Sequence, residues 1–287
     1  MKIGLIVNRD KLNSDKCAKQ IANLLTDNSA EVLLNIANED LFSVESCTGV
    51  TFYATDRDVV FNSDVTVTVG GDGTIIHNAK YASQYCKPLI GVNMGRIGFV
   101  AGLESDETDE LLKLLDGEYK TQKRMLLSVE LERDNDTQSF LCVNEAVLTR
   151  DVLNPIIDIS VSLFGEKIIT YRADGMIFAT PTGSTAYSLS SGGPVVDPDM
   201  DCILLTPIAP HSLSSRHVVF KSDSILTATV DNADATEGYL VVDGETNVKL
   251  QKNDKITIKK SETYLELIIL KEKNFYTLLN EKLKEKN

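Results

Sequence analysis

Residues 65–74 read Val-Thr-Val-Thr-Val-Gly-Gly-Asp-Gly-Thr, and no other stretch restricts the possible folds of this chain so tightly. The five β-branched residues predict a buried strand with Val65, Val67 and Val69 on one face. Gly70 and Gly71 then remove the side chains that would block a sharp turn or the approach of another group. Thr74 stands where a following helix takes its N-cap, and Ile75, Ile76, Ala79 and Ala82 continue at helical spacing to about residue 86. Strand, bare turn and helix start together offer backbone N–H groups and a positive helix end to an anion, with Asp72 beside it.

The flanks repeat the pattern. Residues 2–8 predict a strand. Residues 14–27 predict a helix, with Ala18, Ile21, Ala22 and Leu25 on one face, and residues 31–36 a second strand. A strand at 88–93 follows the central helix. A further helix at 106–116 carries Asp106, Glu107 and Asp109 in its first turn and stops at Gly117. Such alternation implies a parallel sheet covered on both faces. Near residue 120 the pattern changes. Apolar and polar residues alternate over 125–132, a strand starts at Phe140, and short strand patterns follow at 156–164, 167–172, 175–179, 202–206, 217–220, 224–230, 238–243, 247–250, 255–260 and 263–270. One helix, about 184–191, interrupts them. Residues 272–286 form a charged helix with Phe275, Leu278, Leu279 and Leu283 as its apolar stripe. The expected architecture is an α/β N-terminal domain with a parallel sheet, residues 1–120, and a β-rich, β-sandwich-like C-terminal domain, residues 121–270. The tail, 271–287, is expected to pack back on the first.

Composition sets the class of partner. With 287 residues, 43% of them hydrophobic, the chain buries a sizeable core. A net charge of −13 argues against nucleic acid, so any field for an anionic ligand must be built locally. Five scattered cysteines without a CxxC pair point to reduced thiols and not to a disulfide framework or zinc site. The first apolar run is too short for a signal peptide, and no stretch has the length of a membrane span. The expectation is a soluble cytoplasmic protein.

The glycine turn is neither the Walker pattern, which needs Gly-Lys-Ser/Thr, nor the dinucleotide G-x-G-x-x-G. Alone it is equally an ordinary turn ending a parallel strand. A second such turn, Asn93-Met94-Gly95-Arg96-Ile97-Gly98-Phe99, would meet it at the carboxyl edge of the sheet, where open parallel sheets bind ligands. Arg96 is there either a cation for the ligand or a solvated arginine. Asn144 and Glu145 offer donors and acceptors suited to a ribose or base edge, or are a plain polar pair at a strand end. Residues 171–193 concentrate small hydroxyl side chains around Gly183 at a helix start, with Tyr187 able to stack on a heterocycle or fill a core. His77, five residues after Asp72, faces either solvent or ligand. His211 and His217 lack the partners of a zinc site.

Gly70-Gly71-Asp72-Gly73-Thr74, Asn93 to Phe99, Asn144-Glu145, Arg172-Ala173-Asp174-Gly175, Thr180-Pro181-Thr182-Gly183-Ser184-Thr185-Ala186-Tyr187 and Pro207-Ile208-Ala209-Pro210-His211-Ser212-Leu213 together resemble the bacterial NAD kinase family, in family order over nearly the whole chain. The first motif is shared with diacylglycerol, sphingosine and phosphofructokinase relatives; the combination is far more specific. The resemblance implies an NAD kinase-like fold and ATP-dependent phosphorylation of the 2′-hydroxyl of the adenosine ribose of NAD, giving NADP. It implies Asp72 as general base, with Gly73 leaving room for the dinucleotide. Asn144 and Glu145 would grip the adenosine half, and Thr182, Gly183, Ser184, Thr185, Ala186 and Tyr187 would wrap the dinucleotide. Arg172 and Asp174 would lie near the nicotinamide, reached in the family from a neighbouring subunit. His77 falls where many members carry a basic residue. Glu245 stands where some carry Gln, and Pro155 where some carry a basic or polar side chain. ATP and NAD are the implied substrates, with a divalent cation, magnesium, shared between phosphates and water and no dedicated protein ligands. The implied assembly is a homotetramer or dimer, without nucleic acid or membrane. The other readings are a lipid or small-molecule kinase with the same glycine turn, and a non-catalytic dinucleotide sensor.

Overall fold

The computed structural model describes all residues except 43–47, 96–97, 135, 152–155, 213–214, 232–237, 273 and 285–287, and all described side chains except that of residue 283. Arg96 and Pro155 therefore lie outside the described residues. The chain forms two compact units, Met1–Arg124 with Tyr264–Asn287, and Met125–Thr263.

The first unit starts with β1 (Lys2–Val7), α1 (Ser14–Asp27) and β2 (Glu31–Asn35), a βαβ unit whose strands pair in parallel with Ile3 opposite Val32. Next come β3 (Val50–Tyr53) and α2 (Asp56–Asn62), neither of them expected from the sequence. Four strand residues and a seven-residue helix are too short to show periodicity. α2 is instead fixed by the Thr55 hydroxyl, which accepts the Asp58 N–H at 3.1 Å. β4 (Val65–Gly70), α3 (Asp72–Gln84), β5 (Leu89–Asn93) and the two-residue β6 (Leu103–Glu104) follow. The strand order is β3-β2-β1-β4-β5, all parallel. The chain winds outward from β1 to β3 and then returns to the far side of β1. The point of reversal therefore lies between the carboxyl ends of β1 and β4, where such sheets open a crevice. Every residue of β4 and β5 is buried, which accounts for their unbroken apolar and β-branched composition.

Two helical expectations need correction. α3 starts at Asp72, not Thr74: Gly71 is the cap residue and its carbonyl accepts from Thr74 and Ile75 N–H. Thr74 sits one turn in, and its hydroxyl accepts from Asn8 Nδ2 at 2.9 Å. The expected helix at 106–116 is a 3₁₀ stretch, Thr108–Leu114, that buries Leu111 and Leu114.

The second unit is a two-sheet sandwich. β7 (Lys120–Arg133), whose residues from Met125 onward belong to this unit, forms a hairpin with β8 (Asp136–Cys142). β9 (Glu145–Arg150), β10 (Ile157–Leu163), β11 (Glu166–Ala173), β12 (Gly175–Ala179), the short α4 (Tyr187–Ser190), β13 (Cys202–Ile208), β14 (Val218–Lys221), β15 (Leu226–Val230), β16 (Gly238–Val242), β17 (Thr246–Lys249) and β18 (Lys255–Ile269) complete it. One sheet runs β14-β13-β12-β9-β16-β17, antiparallel throughout. Alternate residues of this sheet, such as Leu148, Met176, Phe178 and Leu205, meet Leu127, Val129, Ile159, Ala228 and Ile256 of the other in one core. The opposite face of β9, β12 and β13 is also covered, with Val196 packed on Ile177, Ala179 and Leu204. Val196 thus anchors the chain after α4 on this sheet face.

β18 is one strand where two were expected, 255–260 and 263–270. Ser261 and Glu262 separate the two expected strands, but the Ser261 hydroxyl is satisfied locally by Thr263 and the strand continues. Its last residues belong to the first unit, where Leu267 pairs in parallel with Leu89 of β5. α5 (Phe275–Lys284) belongs to that unit and starts three residues after the expected 272; the expected end at 286 lies outside the described residues.

Candidate active site

In the first unit the turn after β4 is built around Asp72. Gly71 adopts an extended backbone, so the chain enters α3 directly and Asp72 occupies its first helical position, where a carboxylate complements the helix dipole. The Asp72 carboxylate is held from outside its own helix. Phe99 N–H donates to Oδ2 at 2.8 Å and Val100 N–H to Oδ1 at 3.2 Å. Gly98 is required for this clamp, because a Cβ at that position would overlap Asp72 Oδ1. The expectation that the two glycine turns meet at the sheet edge is correct. Gly70 is opposite Asn93, and Met94 N–H donates to the Gly70 carbonyl. Asn93 itself is buried, with its amide donating to Glu104 at 2.8 Å. Asn8, at the end of β1, closes the crevice from the other side through its bond to Thr74. Asn8 belongs to no motif; its only signal is a polar residue ending the first strand of a sheet that reverses there.

In the second unit a separate cluster forms where β8 gives way to β9. Asn144 lies between the two strands and Glu145 opens β9, so the pair does not end a single strand as expected. Asp243, in the hairpin turn between β16 and β17, accepts from three successive N–H groups: Val143 at 2.9 Å, Asn144 at 2.7 Å and Glu145 at 3.1 Å. Asp243 has a left-handed backbone (φ +49), as does Gly244, so the three-residue reversal 243–245 presents this carboxylate to the nest of those N–H groups. Thr180 bonds the Val143 carbonyl through its hydroxyl at 2.7 Å and the Asn144 carbonyl through its N–H at 2.9 Å. Gly183 packs so closely on the Asn144 backbone that a Cβ there would overlap it. The expected helix at 184–191 is a 3₁₀ turn, Thr182–Thr185, followed by α4.

This scaffold leaves acceptors unused. Asn144 Oδ1, Glu145 Oε2 and Thr182 Oγ1 are buried, with no hydrogen-bond partner among the described residues. Buried polar atoms in native proteins are nearly always paired, so three in one cluster mark a place for a ligand's donors. Burial, and then the charge of Asp243, push the Glu145 carboxyl up to about 7, against a bond from Tyr187 N–H that favours its charged form. Tyr187 is exposed beside it, its ring available for stacking.

The other expected residues lie elsewhere. Asp174 precedes β12, whereas Thr180 follows it, so the strand between them holds them about 20 Å apart. Asp174 is paired with Arg150 at 2.6 Å, a partner the sequence reading did not name, and Arg172 is exposed on β11. His77 is exposed on α3 and lines a hollow of about 360 Å³ with Thr55, Arg57 and Tyr81, apart from the Asp72 clamp. Glu245 is exposed in the turn that carries Asp243. Gly73 has open space where a Cβ would project. Among the described residues no three His, Cys, Asp or Glu side chains converge as a metal site would require. Among them, too, no helix is long and apolar enough to cross a membrane.

Comparison with known proteins accounts for both halves. The ATP-NAD kinase N-terminal domain model matches residues 3–119 and the ATP-NAD kinase C-terminal domain model residues 143–270. The chain is 34% identical over 284 residues to the NAD kinase of Natranaerobius thermophilus, covering 98% of this chain and 97% of that one. It is 35% identical over 290 residues to the NAD kinase of Caldanaerobacter subterraneus subsp. tengcongensis, covering 99% of each. Yeast NADH kinase complexed with NADH shares the fold at a TM-score of 0.88 and 24% identity, covering 99% of this chain and 87% of that one. An NAD kinase from Archaeoglobus fulgidus in complex with ATP aligns at 0.76 and 25% identity, covering 99% of each chain. A reversal-point carboxylate in one unit and a cluster of unused acceptors in the other are thus features of a chain that belongs to the NAD kinase family.

Proposed function

We propose that Asp72 is the general base of the family's reaction, the ATP-dependent phosphorylation of NAD to NADP. The observation that carries this reading is the clamp on Asp72: two backbone N–H groups fix a carboxylate at the start of α3, at the reversal point of the sheet. The 2′-oxygen of the adenosine ribose forms a bond to the γ-phosphorus, the bond from that phosphorus to the bridging oxygen breaks, and ADP leaves with the electron pair. The hydroxyl proton passes to Asp72. Little covalent work is asked of the protein, so orientation decides the rate. Asn144, Glu145 and Thr182 would bind the adenosine half through their unused acceptors, and Gly183, Ser184, Thr185, Ala186 and Tyr187 would frame it. Gly73, which meets nothing where a Cβ would stand, leaves room for the ribose. Glu245 and His77 are proposed at the margins, contacting the ligand only through their exposed side chains. Arg172 and Asp174 would serve the nicotinamide end from a neighbouring subunit, which fits their distance from Asn144 along β12 and calls for a homo-oligomer, a dimer or tetramer, in the cytoplasm. Magnesium would arrive on ATP, held by phosphate oxygens and water. Incubating the protein with ATP, magnesium and NAD should yield NADP; no NADP above background would overturn the reading.

Two consequences are measurable. Gly98→Ala forces its Cβ onto Asp72 Oδ1, so the clamp or the carboxylate must shift. A misplacement near 1 Å costs on the order of 100-fold in rate. We expect kcat to fall by that order while the affinity for NAD, measured by calorimetry, stays within a few-fold. The second concerns pH. Ribose hydroxyls donate, so they favour the ionised Glu145 carboxylate, which is scarce below its pKa of about 7. NAD affinity should therefore rise about tenfold from pH 6 to pH 8, and Glu145→Gln should flatten that slope. The fold itself moves the opposite way. Folded Glu145 holds its proton more tightly than in the unfolded chain, so stability falls as pH rises from about 4.5 to about 7, by at most about 3 kcal/mol. Thermal melting of parent and Glu145→Gln across that window separates the two effects.

A further inference from the structure

The last helix brings a cation to Asp72. Lys282, in the final turn of α5, places Nζ 3.7 Å from Asp72 Oδ2 and 3.8 Å from the centre of the Phe99 ring. Phe99 joins the two groups. Its N–H donates to the same Oδ2, and its ring carries the ammonium on its face. Phe275, at the start of α5, packs on Phe99 with ring centres 6.1 Å apart, and so fixes the helix over the turn. Both ends of the pair are withdrawn from water, Asp72 being 31% exposed and Lys282 23%. A basic residue in a last helical turn is explained by the helix dipole alone, and Lys284 meets that need too. The dipole does not explain why Lys282 is seated on an aromatic ring beside the one carboxylate clamped at the sheet's reversal point.

A hydroxyl donating to Asp72 Oδ2 has its oxygen about 2.7 Å away, and the Lys282 ammonium stands 3.7 Å from that same Oδ2. The ammonium and such a hydroxyl would share one carboxylate oxygen, which puts the ammonium within about 6 Å of the place where the hydroxyl oxygen meets the incoming phosphorus. We propose that Lys282 is a catalytic cation for phosphoryl transfer, receiving the equatorial oxygens of the γ-phosphoryl group as it passes from ATP to the hydroxyl that Asp72 deprotonates. Lys282 makes and breaks no covalent bond; it offsets charge spread over those oxygens, the task that cations perform in this reaction class. This rests on the reading of Asp72 as base.

The test compares Lys282→Gln, Lys282→Ala and Lys282→Arg with the parent in the NADP-forming assay, with melting temperature and NAD affinity measured on each. The expected result is a loss of about 100-fold in kcat for Gln and Ala, with unchanged melting temperature and NAD affinity. Arg should retain at least a tenth of the parent rate, and added ethylammonium should partly restore Lys282→Ala in proportion to its concentration. A Gln variant within threefold of the parent overturns the proposal. So does a loss that Arg and ethylammonium both fail to relieve, which makes Lys282 a latch for α5 only. Asp72→Asn in the same assay separates the two readings: if it stays active, the base assignment falls and takes this proposal with it, whereas an inactive Asp72→Asn beside a Lys282→Gln within threefold of the parent keeps the base and removes only the cation.

Discussion

Asp72→Asn is expected to lower kcat by about 10²–10⁴-fold, the usual contribution of a positioned general base, with NAD affinity changed by no more than a few-fold. Asparagine has nearly the shape of aspartate and cannot accept a proton at neutral pH. It keeps one oxygen for one of the two clamping N–H groups, and turns its amide toward the other, donor against donor. That mismatch costs about 1–3 kcal/mol of stability, so the melting temperature drops modestly and the chain stays folded. The measurement is NADP formation at saturating ATP and NAD, with calorimetric titration of NAD. A variant that keeps more than a tenth of the parent rate shows that Asp72 does not take the proton. A variant that loses NAD binding as well shows that Asp72 holds substrate rather than acting on it. Gly98→Ala approaches the same group from the other side, displacing the carboxylate with its chemistry intact, so a shared loss of kcat would locate the defect at one proton transfer.

The parts of this fold that the sequence disclosed are those in which neighbours in the chain are neighbours in space. Val65 to Val69 reads as a buried parallel strand because its run is unbroken by charged residues, and the observed strand extends it by one residue to Gly70, all six buried. α1 matches its expected ends at residues 14 and 27, because its apolar face recurs over nearly four turns. α3 starts two residues before the expected position, because Thr and Gly are about equally good caps and it is the Gly71 carbonyl that is used. α2 was missed for the opposite reason, being too short for its pattern to rise above loop composition. In the two candidate clusters, Asp72 and residues 182–187 sit in recognisable motifs, whereas Asn144 and Glu145 read alone as a plain polar pair and are singled out only by the family resemblance. Their supports are not legible as such: Phe99, though part of the second glycine turn, and Val100 act through backbone N–H groups, which carry no side-chain signature. Asp243 is a lone acid in an Asp-Gly hairpin turn, indistinguishable in sequence from any such turn, and about 100 residues from the N–H groups it accepts (separations of 98, 99 and 100). Arg150 reaches Asp174 through antiparallel pairing that depends on register. What was invisible is long-range and mostly backbone-mediated.

The largest loss of stability is expected at Asp243. Its carboxylate satisfies three consecutive N–H groups, and Val143 is wholly buried. In Asp243→Ala those donors lose their acceptor at once, and each unsatisfied buried donor costs about 1–3 kcal/mol. With partial relief by entering water, we expect destabilisation of roughly 3–5 kcal/mol, enough to remove a large share of the margin of a typical domain. The bend that presents Asn144 and Glu145 would relax with it, and the Thr180 and Gly183 contacts that depend on the Asn144 backbone would loosen. Asp243→Asn is the finer probe. It keeps an oxygen for the nest but removes the negative charge that, after burial, is the second cause holding Glu145 up near 7. The rise of NAD affinity with pH should therefore begin at lower pH in Asp243→Asn than in the parent, while Asp243→Ala should bind NAD weakly at every pH. Chemical denaturation and calorimetry at pH 6, 7 and 8 give both readouts. If Asp243→Ala lies within 1 kcal/mol of the parent, the nest does not depend on this carboxylate. If Asp243→Asn leaves the pH profile in place, the proton that governs NAD affinity is not on Glu145.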